Sequence, residues 1–316
     1  MYTVPEMERK HHQGGGTYER PRVGLVLSGG SARGMAHLGV LHALEKRGIP
    51  VDLIVGASFG AMVGAYYASG FRARTLVGML RGFSIRELLD FSRPLFRILN
   101  ADKTLAILRR TLGERSLEGL GIPLYVLAAD IRAGEMVVFD RGELAATILA
   151  SSAFPGLYEP VEYEGRLLID GGILNRMMMS VARERGAEVV IYSDTSAFTS
   201  LNTKPLAKKL YQLLLRHVEK KRKKLTAKLS RVNLRYLIFK ALCIVLDYRH
   251  QHELFSEHPP DVHIVPRVGC IRPLQFSRSG ECFRFGYEAA SEIADEIERK
   301  VFGASPGPPG AGVHPI

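Results

Sequence analysis

From residue 22 onwards, short apolar runs of strand length alternate with segments of helical period. Arg22–Leu27 (RVGLVL) is a continuous apolar run and reads as a buried strand. It enters a flexible turn, Ser28-Gly29-Gly30-Ser31-Ala32-Arg33-Gly34. From Met35 to Arg47, Leu38, Leu41 and Leu44 recur on one face, which predicts a helix stopped by Gly48. Val51–Val55 is a second apolar run, Gly56–Gly60 a tight turn, and Ala61–Ser69 a helix of small residues. Residues 72–120 read as helices with polar faces, packed over the functional site. Pro123–Ala129 and Glu135–Phe139 read as strands joined by a turn at Ala133-Gly134, and Glu143–Ala150 as a helix. Arg166–Ile169 is a short strand ending at Asp170-Gly171-Gly172; Glu188–Tyr192 and Val262–Val265 are further strands, and Phe285–Val301 a closing helix. The order strand, loop, helix, strand, turn, helix predicts an α/β fold with a mostly parallel central sheet flanked by helices.

A length of 316 residues accommodates this as one large domain, and 46 % apolar residues suffice for a proper core. Residues 1–20 lack an apolar run and contain Gly14-Gly15-Gly16; they read as a disordered leader without a secretory signal. Residues 303–316 are rich in Gly and Pro and read as a disordered tail, leaving 21–302 for the domain. The three cysteines (Cys243, Cys270, Cys282) form no C-x-x-C, which argues against a disulfide framework or a cysteine zinc site and fits a reducing cytoplasm.

The net charge of +11 is concentrated. Between Lys204 and Lys240 stand 13 Lys/Arg and one acid, Glu219, so this segment carries +12 and the rest of the chain −1. Leu210, Leu214, Val218, Leu225, Leu229 and Val232 give it an apolar stripe, and Tyr236–Leu246 continues it as an apolar stretch too short to span a bilayer. Residues 204–248 are therefore expected to form a basic amphipathic, then apolar, helical insertion. A cationic face beside an apolar stripe suits an anionic membrane surface, with Lys220, Lys221, Arg222, Lys223 and Lys224 as the contact; each such charge contributes about 1 kcal/mol at best. A solvated helix face is the plain alternative, and the lack of an aromatic platform argues against nucleic acid.

Three short segments carry chemistry. Gly56-Ala57-Ser58-Phe59-Gly60 places a serine between glycines on a strand-to-helix turn, which exposes its hydroxyl at the positive end of a helix. The plain alternative is a packing turn with an incidental serine. A serine nucleophile needs a base. His263 follows Ser58 and Asp170 in the chain order of a Ser-Asp-His triad, but it sits inside an apolar strand, where a core histidine is the ordinary explanation. Asp170, at a strand end before two glycines, can serve as base without a histidine, or be a plain turn aspartate. The turn at 28–34 offers successive backbone N–H groups to an anion, either a phosphate or the oxyanion of acyl transfer. It lacks the G-x-x-x-x-G-K-[ST] spacing, and a candidate nucleophile ends the next strand, which favours the oxyanion.

Taken together, Ser28–Gly34, Gly56–Gly60 and Asp170–Gly172 resemble the patatin-like phospholipases, over about Val23 to Val301. Ala129-Asp130 with Gly134-Glu135, Ser151–Gly156, Asp261–Pro266 and Gly286-Tyr287-Glu288 are similar to the same family. The resemblance implies a three-layer fold and a Ser58–Asp170 dyad in place of a triad: Ser58 as nucleophile, Asp170 as proton acceptor and later activator of water. It implies an oxyanion hole from Gly29, Gly30, Ser31, Arg33 and Gly34, with Gly56, Gly60, Gly171 and Gly172 as supporting turns. It implies hydrolysis of lipid acyl esters without a metal or other cofactor; with the sparse cysteines and the basic helix, the expectation is a cytoplasmic protein that meets the membrane peripherally. Two departures stand out. Ser31 occupies a position where the family often has a third glycine, and Asn175-Arg176-Met177 lacks the proline that usually follows. Met177-Met178-Met179 reads as core or as lining for an acyl chain. An acyltransferase using the same acyl-serine, and a lipid-binding protein without activity, are the competing expectations.

Overall fold

The computed structural model describes residues 20–81, 88, 99–172, 178–196 and 259–303. The expected leader and tail, the 204–248 insertion with Lys220–Lys224, and Asn175-Arg176-Met177 lie outside the described residues.

Among the described residues the strands form one sheet. In chain order they are β1 (Val23–Leu27), β2 (Leu53–Ala57), β3 (Leu124–Asp130), β4 (Glu135–Phe139), β5 (Val161–Tyr163), β6 (Arg166–Asp170), β7 (Val189–Ser193) and β8 (Val262–Ile264). Their spatial order is β5-β6-β3-β2-β1-β7-β8, with β4 also on β3. The run β3-β2-β1-β7-β8 is parallel, and the β4, β5 and β6 pairings are antiparallel. The central strands are fully buried because helices cover both faces, which explains why they read as unbroken apolar runs.

On one face Val23, Leu25, Leu27 and Ile54 pack with α1 (Ala36–Lys46), α2 (Phe59–Ala68), α3 (Ala73–Arg81), α4 (Ala101–Leu112) and α5 (Leu144–Ser151). On the other, Val26, Leu53, Val55 and Leu127 pack under α6 (Met178–Glu184). Each fully buried Leu contributes about 1.5–3 kcal/mol. Met178 and Met179, at 0 % and 1 % exposure, belong to this second core.

Several boundaries differ from expectation. The second strand starts at Leu53 rather than Val51 and reaches Ala57. Asp52 stays outside it, because its carboxylate accepts the Val23 N–H at 2.7 Å and pairs with Arg20 at 2.6 Å. The closing helix is two helices, α7 (Ser279–Glu292) and α8 (Ala294–Phe302), starts earlier than Phe285, and breaks at Ile293 (φ −117°, ψ 17°). A one-residue kink leaves the apolar stripe in phase, so periodicity cannot register it. β5, too short to show alternation, has no counterpart in the expectation. Helix α1 crosses α7 backbone to backbone: a Cβ on Gly39 would lie 2.0 Å from Phe283 O, and one on Gly286 1.9 Å from Ala36 O. Among the described residues no helix is long and apolar enough to cross a membrane.

Strand β3 positions the site. Parallel β2 occupies its first half, ending at Ala57↔Leu127. Antiparallel β6 occupies its second half, ending at Ala128↔Asp170. Strand β4 pairs with β3 from Val126 to Asp130 and so overlaps both partners; β2 and β6 must therefore share the opposite edge. They run towards each other along that edge and meet where β2 ends and β6 ends.

Candidate active site

Ser58 follows β2 and precedes α2, at φ 55° and ψ −127°. This is a backbone conformation that a residue with a side chain adopts at a cost of about 1–3 kcal/mol. Two neighbouring glycines are demanded by space. A Cβ on Gly56 would lie 2.7 Å from Ala61 Cα, and one on Gly60 2.3 Å from Leu27 O. The Ser58 N–H donates to Ser151 Oγ at 2.8 Å, and the Ser151 hydroxyl donates to Leu127 O at 2.5 Å. Ser151 at the end of α5 thus ties the strained residue to β3. Sequence reasoning missed this role: Ser151 lies 93 residues from Ser58, and no spacing rule connects them.

Asp170 ends β6 and is 3 % exposed. The Ser58 side chain lies beside its carboxylate and favours its ionised form, and the Gly172 N–H donates to Oδ1 at 2.8 Å. Burial pushes the carboxyl up to about 6; Ser58 and the Gly172 N–H oppose that rise and do not cancel it. Gly171 is also required by space, since a Cβ there would lie 2.1 Å from Leu127 O. Asp170 N–H is held by Ala153 O at 3.1 Å, so the Ser151–Gly156 stretch supports both partners.

The glycine turn leaves β1 beside this pair. A Cβ on Gly29 would lie 3.3 Å from Ser58 Cβ, so Gly29 abuts the serine. Among the described residues the N–H groups of Gly29 and Gly30 meet no acceptor. Other expected members of the oxyanion turn are engaged differently. The Arg33 N–H donates to Gly30 O at 3.2 Å, and its Nε to Ile271 O at 2.7 Å, so Arg33 fastens the turn to the 268–275 loop. The Ala32 N–H reaches Pro273 O at 2.8 Å and adds to that fastening. Gly34 makes room for the Phe59 ring, 2.5 Å from where its Cβ would stand. Ser31 carries φ 52°, a left-handed conformation that explains why glycine is the expected residue there.

His263 is not brought to Ser58. It lies on β8, three strand spacings from β2, or about 14 Å. Its ring stacks on Tyr192 with centroids 5.2 Å apart, and Nε2 lies 3.5 Å from Asp194 Oδ2. Among the described residues no group of three or more His, Cys, Asp or Glu is placed to hold a metal ion.

Comparison with known proteins bears on family and fold. Residues 25–182 match the family described as Patatin-like phospholipase. An uncharacterized NTE family protein of Mycobacterium tuberculosis is 42 % identical over 174 residues, 54 % of this chain and 48 % of that protein. Lysophospholipase NTE1 of Meyerozyma guilliermondii is 28 % identical over 280 residues, 86 % of this chain and 19 % of that protein. The chain therefore spans about half the length, or less, of these curated relatives. VipD from Legionella pneumophila superposes with a TM-score of 0.54 over 88 % of this chain and 67 % of its own, at 15 % identity, a likeness of fold.

Proposed function

The chain belongs to the patatin-like phospholipase family, and from that premise we propose that it is a serine-dependent lipid acyl ester hydrolase working through Ser58 and Asp170. One observation carries the reading: a serine held at positive φ stands beside a buried carboxylate whose pKa is raised to about 6. Ser58 Oγ attacks the ester carbonyl while its proton passes to Asp170. The tetrahedral oxyanion lies against the Gly29 and Gly30 N–H groups. The alcohol leaves with the proton from Asp170. Water then loses a proton to Asp170 and attacks the acyl-serine, which releases the fatty acid and restores Ser58. A base with a pKa near 6 is ionised at neutral pH yet basic enough to take part in the transfer.

The test is a lipid-panel hydrolysis assay combined with fluorophosphonate labelling, each with Ser58→Ala beside the parent. Labelling at Ser58 and hydrolysis lost in Ser58→Ala are the expected results; hydrolysis that survives Ser58→Ala rejects the dyad. The Lys220–Lys224 run adds peripheral contact with anionic membrane to the proposal, supported by its charge and the apolar stripe around it. Neutralising these five residues should weaken binding to vesicles rich in phosphatidylserine and spare hydrolysis of a soluble short-chain ester. Unchanged vesicle binding removes that element.

A further inference from the structure

A buried polar cluster that takes no part in these bond changes lies against the glycine turn. It comprises Ser28, His37, Ser193 and Thr195, all without solvent exposure. His37 stands in the first turn of α1, the helix into which the glycine turn leads. Its Nε2 lies 2.9 Å from Ser28 O, and its Nδ1 2.8 Å from Ser193 Oγ. A carbonyl oxygen only accepts, so Nε2 carries the ring proton and Nδ1 accepts from the Ser193 hydroxyl. Burial holds the ring neutral by lowering its pKa to about 4. Thr195 Oγ1 donates to Gly29 O at 3.3 Å, and Ser28 Oγ reaches the same oxygen at 3.1 Å. The Thr195 N–H in turn donates to Ser28 Oγ at 2.8 Å.

Two successive carbonyls of the turn, Ser28 O and Gly29 O, are therefore held from the protein interior. In a trans peptide the C=O and N–H bonds of one plane point in opposite directions. The Gly29 N–H shares its plane with Ser28 C=O, and the Gly30 N–H shares its plane with Gly29 C=O. Fixing those two carbonyls on the cluster turns both N–H groups away from it, at the place where Gly29 abuts Ser58. Neither of these N–H groups has an acceptor among the described residues. We propose that His37 and Thr195 are positioning residues that aim the Gly29 and Gly30 N–H groups at the reaction's oxyanion. The inference rests on the Ser58–Asp170 reading and adds to it what orients the hole.

A cluster that merely stabilised the fold would affect melting and leave transition-state binding alone. The discriminating probe is a trifluoromethyl ketone carrying an alkyl chain. Ser58 Oγ adds to its carbonyl carbon, the serine proton passes to Asp170, and the former carbonyl oxygen becomes the oxyanion. His37→Leu should lower kcat on a soluble short-chain ester about 100-fold, the scale of a lost oxyanion donor. It should raise the ketone's inhibition constant by the same factor and leave KM within about twofold. In His37→Gln an amide N–H can reach Ser28 O again, and at least about tenfold of the loss should return. Thr195→Val should cost about tenfold in kcat and in ketone affinity alike. The acid limb of the rate profile should stay near 6 in His37→Gln, because Asp170 sets it.

A folded His37→Leu protein with parental kcat overturns the proposal, as does a kcat loss without a matching loss of ketone affinity. If His37→Leu fails to fold, Thr195→Val decides: unchanged kcat and ketone affinity overturn it. In each of these outcomes Ser58→Ala remains inactive. Full activity in Ser58→Ala would instead strike the underlying reading.

Discussion

Asp170→Asn should abolish turnover and stabilise the protein. The native carboxyl has a pKa of about 6 against 3.8 in the unfolded chain, and its environment is fully buried. A group whose folded pKa is raised binds protons more tightly in the native state. Stability is therefore highest below the unfolded value and falls as pH rises through the window from 3.8 to about 6. The difference of roughly two units corresponds to about 3 kcal/mol at pH 8, at 1.36 kcal/mol per unit. Asparagine occupies nearly the same volume, can accept from the Gly172 N–H and can donate to Ser58 Oγ, and carries no charge to desolvate. At an unfolding entropy of about 2.1 cal/mol/K per residue, 3 kcal/mol amounts to a rise in Tm of about 5 °C for a chain of this size. The assay is thermal or urea unfolding of parent and variant from pH 4 to 8, with hydrolysis measured on the same samples. The gain should be largest at pH 8 and shrink towards zero near pH 4. A variant that is inactive but no more stable at pH 8, or whose gain is independent of pH, refutes the claim that burial of a charged base is what raises this pKa.

The kcat/KM of the parent should rise with pH through about 6 and then level, because Asp170 must be ionised to accept the serine proton; a limb near 4 would show a base that is not desolvated. His263→Ala should keep most of the activity, since β8 is three strands from β2, and a loss as deep as that of Asp170→Asn would restore a histidine base. Ser151→Ala should lower stability by about 2 kcal/mol, because the Ser58 N–H and Leu127 O lose their shared partner. Its kcat should fall as well, and neutrality in both urea unfolding and turnover would dismiss the tie. Ser58→Gly and Ser58→Ala should both be inactive, but Ser58→Gly should be the more stable by about 1 kcal/mol, because glycine accepts φ 55° and ψ −127° without strain. Equal unfolding midpoints would mean that the elbow stores no strain.

Much of the fold was legible because the strands here are buried on both faces. Val23–Leu27, Leu124–Asp130 and Val189–Ser193 could be read as apolar runs without any alternation to count. Boundaries were less legible where a side chain competes for the backbone, as Asp52 does by taking the Val23 N–H before β2 begins. The glycine-flanked turns that carry Ser58 and Asp170 could be read as turns, because close backbone approach leaves a compositional mark. The residues that hold them leave none. Ser151 bonds Ser58 N–H and Leu127 O, and His37 and Thr195 hold the turn carbonyls Ser28 O and Gly29 O, all backbone atoms brought near by the fold; a buried serine or histidine in a helix looks the same whether or not it has such bonds. Arg33 was legible as part of the turn but not as its fastening, since its partner Ile271 lies 238 residues away.

For the proposed Ser58–Asp170 dyad, the register on β3 gives a reason why two side chains can suffice where triads use three. In a triad the histidine is free to rotate and needs a further group to orient it. In the proposed dyad the distance between nucleophile and base is set by backbone, since Ala57 and Asp170 pair with adjacent residues of one strand, Leu127 and Ala128. A slip of one residue in either ladder would turn the side chain to the other face of the sheet, so the hydrophobic cores on both faces enforce the alignment. The remaining freedom, rotation of the carboxylate, is limited by the Gly172 N–H two residues on. The Leu127 carbonyl at the junction is itself held by Ser151 and covered by Gly171. Orientation that a third catalytic side chain would supply thus comes from the sheet, and the base can be a short aspartate with little conformational entropy to lose.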